Sequence, residues 1–215
     1  MAMKLYGYFR SSASYRARIA LNYKGVAYES AAVDLRAPVS AQRTAQFLAL
    51  NPEGLVPVLV DGDTVVRQSL AIIEYLEETH PAPPLLPQAP AARAQVRALT
   101  LAIACDIHPL NNLRVLNYLR DPLAHGDAEV HAWYAHWIAR GFTALEQEVR
   151  DLSGDGRHMF GNAVTVADVF MVPQMANARR ERCDVEPYPR LRAICEYLES
   201  LPAFARAAPQ AQSQP

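Results

Sequence analysis

The sequence predicts two structural classes in one chain: an α/β domain first, then an all-helical domain. Three observations carry this. Up to residue 82, short strand-like runs alternate with helical ones. From residue 90 onward, the apolar residues recur only at three- and four-residue spacing. Between them, "PAPPLLPQAP" (Pro81 to Pro90) holds five prolines in ten residues, which excludes a helix or a central strand. The expected bounds are 1–82 for the first domain, 83–89 for a stiff linker and 90–215 for the second.

The elements follow in order. "KLYGYF" is aromatic-rich and short, as a strand is. A helical pattern covers about Ser12 to Lys24, with Gly25 as its stop. "AYESAAVDL" is a second strand, and "SAQRTAQFLALNP" a short helix ended by Asn51-Pro52. "VPVLVDGDTVVRQS" reads as a hairpin turning at Asp61-Gly62. "SLAIIEYLEETH" is an amphipathic helix capped by Ser69, with Ile72, Ile73 and Leu76 on one face. The order βαβαββα is that of a thioredoxin-like domain.

In the second half, Val96, Leu99, Ile103, Ile107 and Leu110 form one stripe, and Val130, Trp133, Trp137 and Leu145 another. "TVADVFMVPQMANA" opens with Thr165-x-x-Asp168, a capping box, and is apolar all round, as in a buried central helix. Pro109 and Pro173 fall inside helical patterns and predict kinks or breaks. The tail "APQAQSQP" is expected to fray.

Composition excludes several function classes. The net charge is −1, so no basic surplus points to nucleic acid. No apolar run approaches the ~20 residues of a membrane span, and "MKLYGYF" is no signal peptide. Cys105, Cys183 and Cys195 lack metal-ligand spacing and are odd in number. We read all three as buried small apolar groups in a cytoplasmic protein, with no metal.

The chemistry concentrates in "YFRSSASYRARIAL", Tyr8 to Leu21. A helix N-terminus presents unpaired N–H groups and partial positive charge, which favours anions, thiolates included. Thioredoxin-like redox proteins carry Cys-x-x-Cys here. This chain has Ser11-Ser12-Ala13-Ser14, and no cysteine precedes Cys105. The fold is thus suited to hold a thiolate that a ligand must supply. Plain N-capping explains one serine but not three flanked by Arg10 and Arg16. Val56-Pro57 starts a strand, and a cis bond there would offer the Val56 backbone to a peptide ligand. A trans edge-strand proline is the alternative. Gln68 and Ser69 stand at another helix mouth, able to take a carboxylate.

These residues resemble the zeta-class glutathione transferases, in which Ser-Ser-Cys-Ser is followed by an aromatic residue and Arg. "ALNPEGLVPVL", "QSLAIIEYLEETHP", "LLPQ", "HPLNNLRVLNYL", "TVADVFMVPQMANA" and "PYPRL" resemble the family in order and spacing across essentially the whole chain. The resemblance implies a glutathione transferase fold and a glutathione site. Ser11 matches the serine facing the glutathione sulfur; Ser12, Ala13, Ser14, Tyr15 and Arg16 complete the signature. Gln42, Val56, Pro57, Gln68 and Ser69 match further glutathione contacts; His108, Asn112, Leu113 and Arg114 match the segment that closes the site. Arg180 matches a position facing the substrate, and Arg10 stands beside the thiol. Ala13 stands where the signature has cysteine, which bacterial maleylpyruvate isomerases also lack, and this argues against a mechanism that needs a protein thiol at that position.

The activity implied is glutathione-dependent cis–trans isomerisation of maleylacetoacetate to fumarylacetoacetate, in aromatic amino acid catabolism, by reversible thiolate addition. The alternatives are isomerisation of maleylpyruvate in gentisate catabolism, general glutathione transfer or dehalogenation, and a non-catalytic adaptor. Arginine suits planar recognition of the diacid ends. Arg179 and Arg180 come from the last part of the helix; Arg182 reads as part of a solvated helix end, whereas Arg180 is assigned to substrate. His108 is either a proton-transfer group or a helix-kink residue. A homodimer is implied by the resemblance.

Overall fold

A computed structural model describes residues 2–36 and 38–212. The first unit's elements are β1 (Met3–Gly7), α1 (Ser12–Tyr23), β2 (Tyr28–Ala32), α2 (Ala45–Leu50), β3 (Val58–Asp61), β4 (Thr64–Arg67) and α3 (Ser69–Thr79). Then come α4 (Pro90–Asp106), α5 (Leu113–Arg120), α6 (Asp127–Leu152), α7 (Val166–Arg180), α8 (Pro189–Ser200) and α9 (Pro202–Ala207). The order βαβαββα holds through α3, and beyond it the described residues form helices with no further strand. The chain divides into two compact units. One holds the residues up to Pro84 together with those from Ser200 onward; the other holds Leu85–Glu199.

The first unit has a four-stranded sheet in the order β2-β1-β3-β4. β1 runs parallel to β2 and antiparallel to β3, which in turn is antiparallel to β4. The register matters for function. Gly7 lies opposite Ala32, Tyr6 opposite Val58, and Val58 opposite Arg67. The ends of β1, β2 and β4 and the start of β3 therefore meet at one edge. Helices α1 and α3 leave from that edge and pack against each other, burying Ile19, Leu21, Ile72, Ile73 and Leu76 completely. α1 stops where Gly25 adopts φ +65°, a left-handed conformation open to glycine without strain. The neighbouring Lys24 ammonium is buried, and its charge is met by Glu77 at 3.0 Å and by the His80 and Pro83 carbonyls at 2.7 and 3.0 Å.

Four expectations change here. The second helix is two pieces, a 3₁₀ turn over Ala41–Arg43 and α2, because Thr44 takes extended backbone and caps α2 through the Phe47 N–H. Ser69 does not cap α3: it is the first helical residue, and Gln68 holds the cap position. Residues from Ser200 belong with the first unit rather than with the helical domain. Tyr15, Arg18 and Asn22 of α1 donate to the Phe204, Ala207 and Ala203 carbonyls of α9, and Phe204 is fully buried. The expected frayed tail is ordered as a 3₁₀ turn at Pro209–Ala211; its last three residues lie outside the described set.

In the second unit, α4 buries Val96, Leu99 and Ile103, and α7 is buried over most of its length. Asp168 secures the start of α7: its carboxylate accepts the Thr165 N–H and hydroxyl at 2.7 and 2.8 Å and the Met159 N–H at 2.7 Å. Glu146 of α6 takes the Arg190 and Leu191 N–H groups at 3.0 Å, satisfying the first turn of α8. Gly141 admits the close approach of Ile107, which a Cβ there would overlap. The linker is partly built into this unit: Leu85 and Leu86 are buried, and the Leu85 carbonyl receives the Val166 N–H. The chain breaks at Pro109, between α4 and α5, but α7 continues through Pro173. The α6 core stripe is Val130, Tyr134, Ile138, Phe142, Leu145 and Val149. Trp133 and Trp137 lie one residue behind this row and are half-buried, contrary to the predicted stripe. Cys183 and Cys195 are buried as expected, but Cys105 is exposed.

Candidate active site

The sheet edge assembles the candidate residues of the first unit. β1 delivers Ser11 to the N-terminus of α1. β4 delivers Gln68 and Ser69 to that of α3, and β3 begins just after Val56-Pro57. Gln42 sits in the 3₁₀ turn downstream of β2. Sequence order scatters these residues over some sixty positions; the strand register brings their elements to one edge.

Ser11 is the cap of α1, and its Oγ accepts the Ser14 N–H at 3.2 Å. That bond uses a lone pair and leaves the hydroxyl proton to donate. Capping and anion binding are thus compatible at one atom. No acidic side chain stands in the first turn of α1, so the positive end of the helix is not neutralised.

Most of the rest of the signature is buried. Ser14 is fully buried, and its hydroxyl accepts the Tyr8 N–H at 3.3 Å. Gly7 makes room for it, since a Cβ at Gly7 would lie 3.1 Å from the Ser14 Oγ. Ser12 is buried as well. Tyr15 and Arg16 are buried, and desolvation pushes the Arg16 guanidinium down to about 9. Ser14, Tyr15 and Arg16, expected at the ligand from the matched signature, have buried side chains. Ser11 and Ala13 remain partly open, and Arg10 is exposed.

The mouth of α3 has the opposite character. Gln68 makes no side-chain cap bond, and no acidic residue occupies the first turn. Its backbone takes φ +68°, a strained conformation for a side-chain-bearing residue, worth about 1–3 kcal/mol. The Gln68 amide donates to Glu53 at 2.9 Å. This mouth offers amide donors and the Ser69 hydroxyl to a carboxylate. The loop leading to Val56 is set by buried Asn51, which accepts the Glu53 N–H and donates to the Leu55 carbonyl at 2.8 Å. Val56-Pro57 is cis, as expected, and so is Ala82-Pro83, which the sequence reading did not single out. Among the described residues no backbone hydrogen bond takes the Val56 N–H or C=O. The Gln42 Oε1 is buried without a hydrogen-bond partner. An N–H donor, a C=O acceptor, an orphaned amide oxygen and two open helix mouths fit a peptide with a thiol and a carboxylate. Glutathione has that form.

The second unit carries the remaining candidates. His108 lies in the turn after α4, and its N–H bonds the Ile103 carbonyl at 2.9 Å. Asn112 caps α5 through the Arg114 N–H, which commits its side-chain oxygen. Leu113 and Arg114 are exposed in the first turn of α5. Arg180 ends α7. Its Nε donates to Glu181 at 3.0 Å, and its charge acts on buried Tyr134, whose hydroxyl desolvation pushes well up. Arg179 pairs with Glu199 at 2.8 Å, and Arg182 ends the helix with φ +58°, so both serve structure. Burial pushes the Cys183 thiol up to about 11 and Cys195 well up, so neither supplies a thiolate at neutral pH.

The model of the glutathione S-transferase N-terminal domain matches residues 5–84. A probable maleylacetoacetate isomerase of Vibrio cholerae is 52% identical over 99% of this chain and 98% of its own. A solved maleylpyruvate isomerase, a bacterial glutathione S-transferase in the zeta class, superposes with a TM-score of 0.94 at 47% identity, covering 97% of this chain and 98% of that one. Maleylacetoacetate isomerase from Methylobacterium extorquens AM1, with bound malonate and glutathione, gives 0.93 at 40% identity over 99% of each chain. Fold and edge are those of a glutathione transferase. The chain belongs to the zeta-class family of maleylacetoacetate and maleylpyruvate isomerases.

Proposed function

We propose that this protein is a glutathione-dependent isomerase that converts maleylacetoacetate to fumarylacetoacetate. The observation that carries the reading is the sheet edge: it pairs the Ser11 hydroxyl, on an unneutralised helix mouth, with a second open mouth at Gln68–Ser69. The likeness to the Vibrio enzyme supports the substrate, and the relative that holds both malonate and glutathione supports a diacid. Maleylpyruvate is the second reading, favoured by the likeness to the solved maleylpyruvate isomerase.

Bound glutathione supplies the thiolate whose reversible addition frees rotation about the conjugated double bond. The chain's part is to keep that sulfur ionised and to hold the diacid. Lowering a thiol pKa from ~8.5 by one to two units takes roughly 1.4 to 3 kcal/mol. The Ser11 O–H donating to an anion contributes ~1.5 to 3 kcal/mol, and the helix mouth ~0.3 to 1. These suffice without a cationic partner. Ser69 and the first amides of α3 hold the γ-glutamyl carboxylate, the Val56 backbone pairs with the peptide, and Gln42 contacts it. Arg180, at the end of α7, holds one substrate carboxylate through charged hydrogen bonds. Arg10 and His108 act beside the reacting groups, and His108, Asn112, Leu113 and Arg114 close over the glutathione.

In this reading residues 1–82 bind glutathione and the helical segment from 90 binds substrate. The protein works in the cytoplasm as a homodimer. Turnover of maleylacetoacetate and maleylpyruvate, each with and without glutathione, tests it. The reading requires activity that depends on glutathione without consuming it; conjugation with net loss of glutathione would overturn it.

A further inference from the structure

A cavity of about 400 Å³ opens in the second unit beside the end of α5 and the first turns of α6. Both tryptophans of the chain, Trp133 and Trp137, line it with Leu119, His125, Glu129 and His136. None of these belongs to the candidate active site. We propose that this cavity binds an organic cation: an ammonium group carried on a small aromatic or alkyl body.

The walls suit that chemistry. The two indoles meet edge to face, at 63° with ring centroids 5.7 Å apart, and form an aromatic corner on the cavity wall. His136 adds a ring edge-on to Trp137 at 5.0 Å. Indole faces attract cations more strongly than other aromatic side chains do. The corner is set in advance, because the Trp133 Nε1 donates to the Leu110 carbonyl at 2.8 Å. Leu119 supplies an apolar floor, and neither lysine nor arginine lines the cavity.

Glu129 supplies the counter-charge. Its Oε2 accepts the Gly126 N–H at 2.9 Å and lies 3.4 Å from the His125 Nδ1. Both contacts fall on one oxygen and leave Oε1 for a ligand. The Gly126 N–H, and then His125, hold this carboxyl below the usual range, so it is ionised at neutral pH. The volume lies within that of small-molecule sites and exceeds what a water cluster needs.

The two tryptophans make the experiment direct, since the protein's whole indole fluorescence comes from this cavity. The full-length protein is titrated with benzyltrimethylammonium, and separately with benzenesulfonate, a flat anion of similar body. The expected result is saturable quenching by the cation, unchanged by saturating glutathione, and little effect of the sulfonate. Glu129→Gln, which keeps an oxygen for the Gly126 N–H, should weaken the cation about tenfold. Trp137→Ala should weaken it similarly, read from the remaining Trp133. Both variants should keep isomerase turnover and wild-type circular dichroism. Equal affinity for the sulfonate, loss of quenching when glutathione is added, or an unchanged Kd in Glu129→Gln would each overturn the proposal. So would fluorescence that follows protein concentration rather than probe, which would mark the cavity as a contact between copies. No outcome depends on which diacid the enzyme isomerises, so failure here leaves the isomerase reading standing.

Discussion

Ser11 shows how one hydroxyl serves structure and chemistry together. As a cap it accepts the Ser14 N–H; as a donor its proton remains for an anion. Ser11→Ala should therefore cost about 1 kcal/mol of stability through the lost cap. Independently, it should raise the pKa of bound glutathione and lower kcat by about 10- to 100-fold, with glutathione affinity little changed. Thiolate absorbance in the ultraviolet separates the two effects, and full activity with an unshifted thiol would refute the assignment. Gln68 makes the complementary case, since its φ of +68° is strained for any residue but glycine. Gln68→Gly should leave the melting temperature unchanged or raised while weakening glutathione binding in calorimetry. Arg180→Ala should chiefly raise KM for the diacid, by roughly 1.5 to 3 kcal/mol of lost charged hydrogen bonding, and spare glutathione affinity. Kinetics on both substrates would decide it.

At the scale of elements, the site depends on how helices begin. α1 is capped from within by a serine whose proton stays available, whereas α3 begins with no side-chain cap. α7 begins with a fully committed box around Asp168. The contrast has a physical reason. A helix mouth that meets a ligand leaves its donors open, and one buried in a core must satisfy them internally. Asp168→Ala would strand the Thr165 and Met159 N–H groups in a dry interior. We expect a loss of about 3–5 kcal/mol in denaturant unfolding. A loss below about 1 kcal/mol would show that the box is not what anchors α7.

At the scale of the whole molecule, the chain returns to its first unit. α9 lays Phe204 against α1, the helix whose mouth carries Ser11, and receives three donors from it. Phe204→Ala should cost about 3–5 kcal/mol by opening a cavity beside α1. It should also reduce glutathione affinity by loosening the helix, which thermal unfolding and calorimetry read separately. Affinity unchanged in a destabilised variant would show that α9 supports the fold without shaping the site.

Local chemistry determined much of this protein before any contact was known. The βαβαββα order, the proline-rich punctuation, the Thr165–Asp168 box and the serine-rich helix mouth all follow from short-range pattern. Propensity, capping and hydrophobic period act within a few residues of chain. The matched motifs brought Gln42 into view, which pattern alone would have left as an isolated polar residue, whereas Val56, Gln68 and Ser69 were legible from their place at a strand start and a helix mouth. Tertiary structure decided the rest. Strand register, a long-range property, placed β1, β3 and β4 so that Ser11, Val56 and Gln68 come to one edge. Burial separated Ser11 from Ser14, Tyr15 and Arg16, which are equal members of one motif in sequence but stand on different sides of a packed helix. Packing drew α9 to the first unit and set the tryptophans one residue off the core row. At a helical period of 3.6 a neighbouring residue points about 100° away, so only the partner surface decides which row is core.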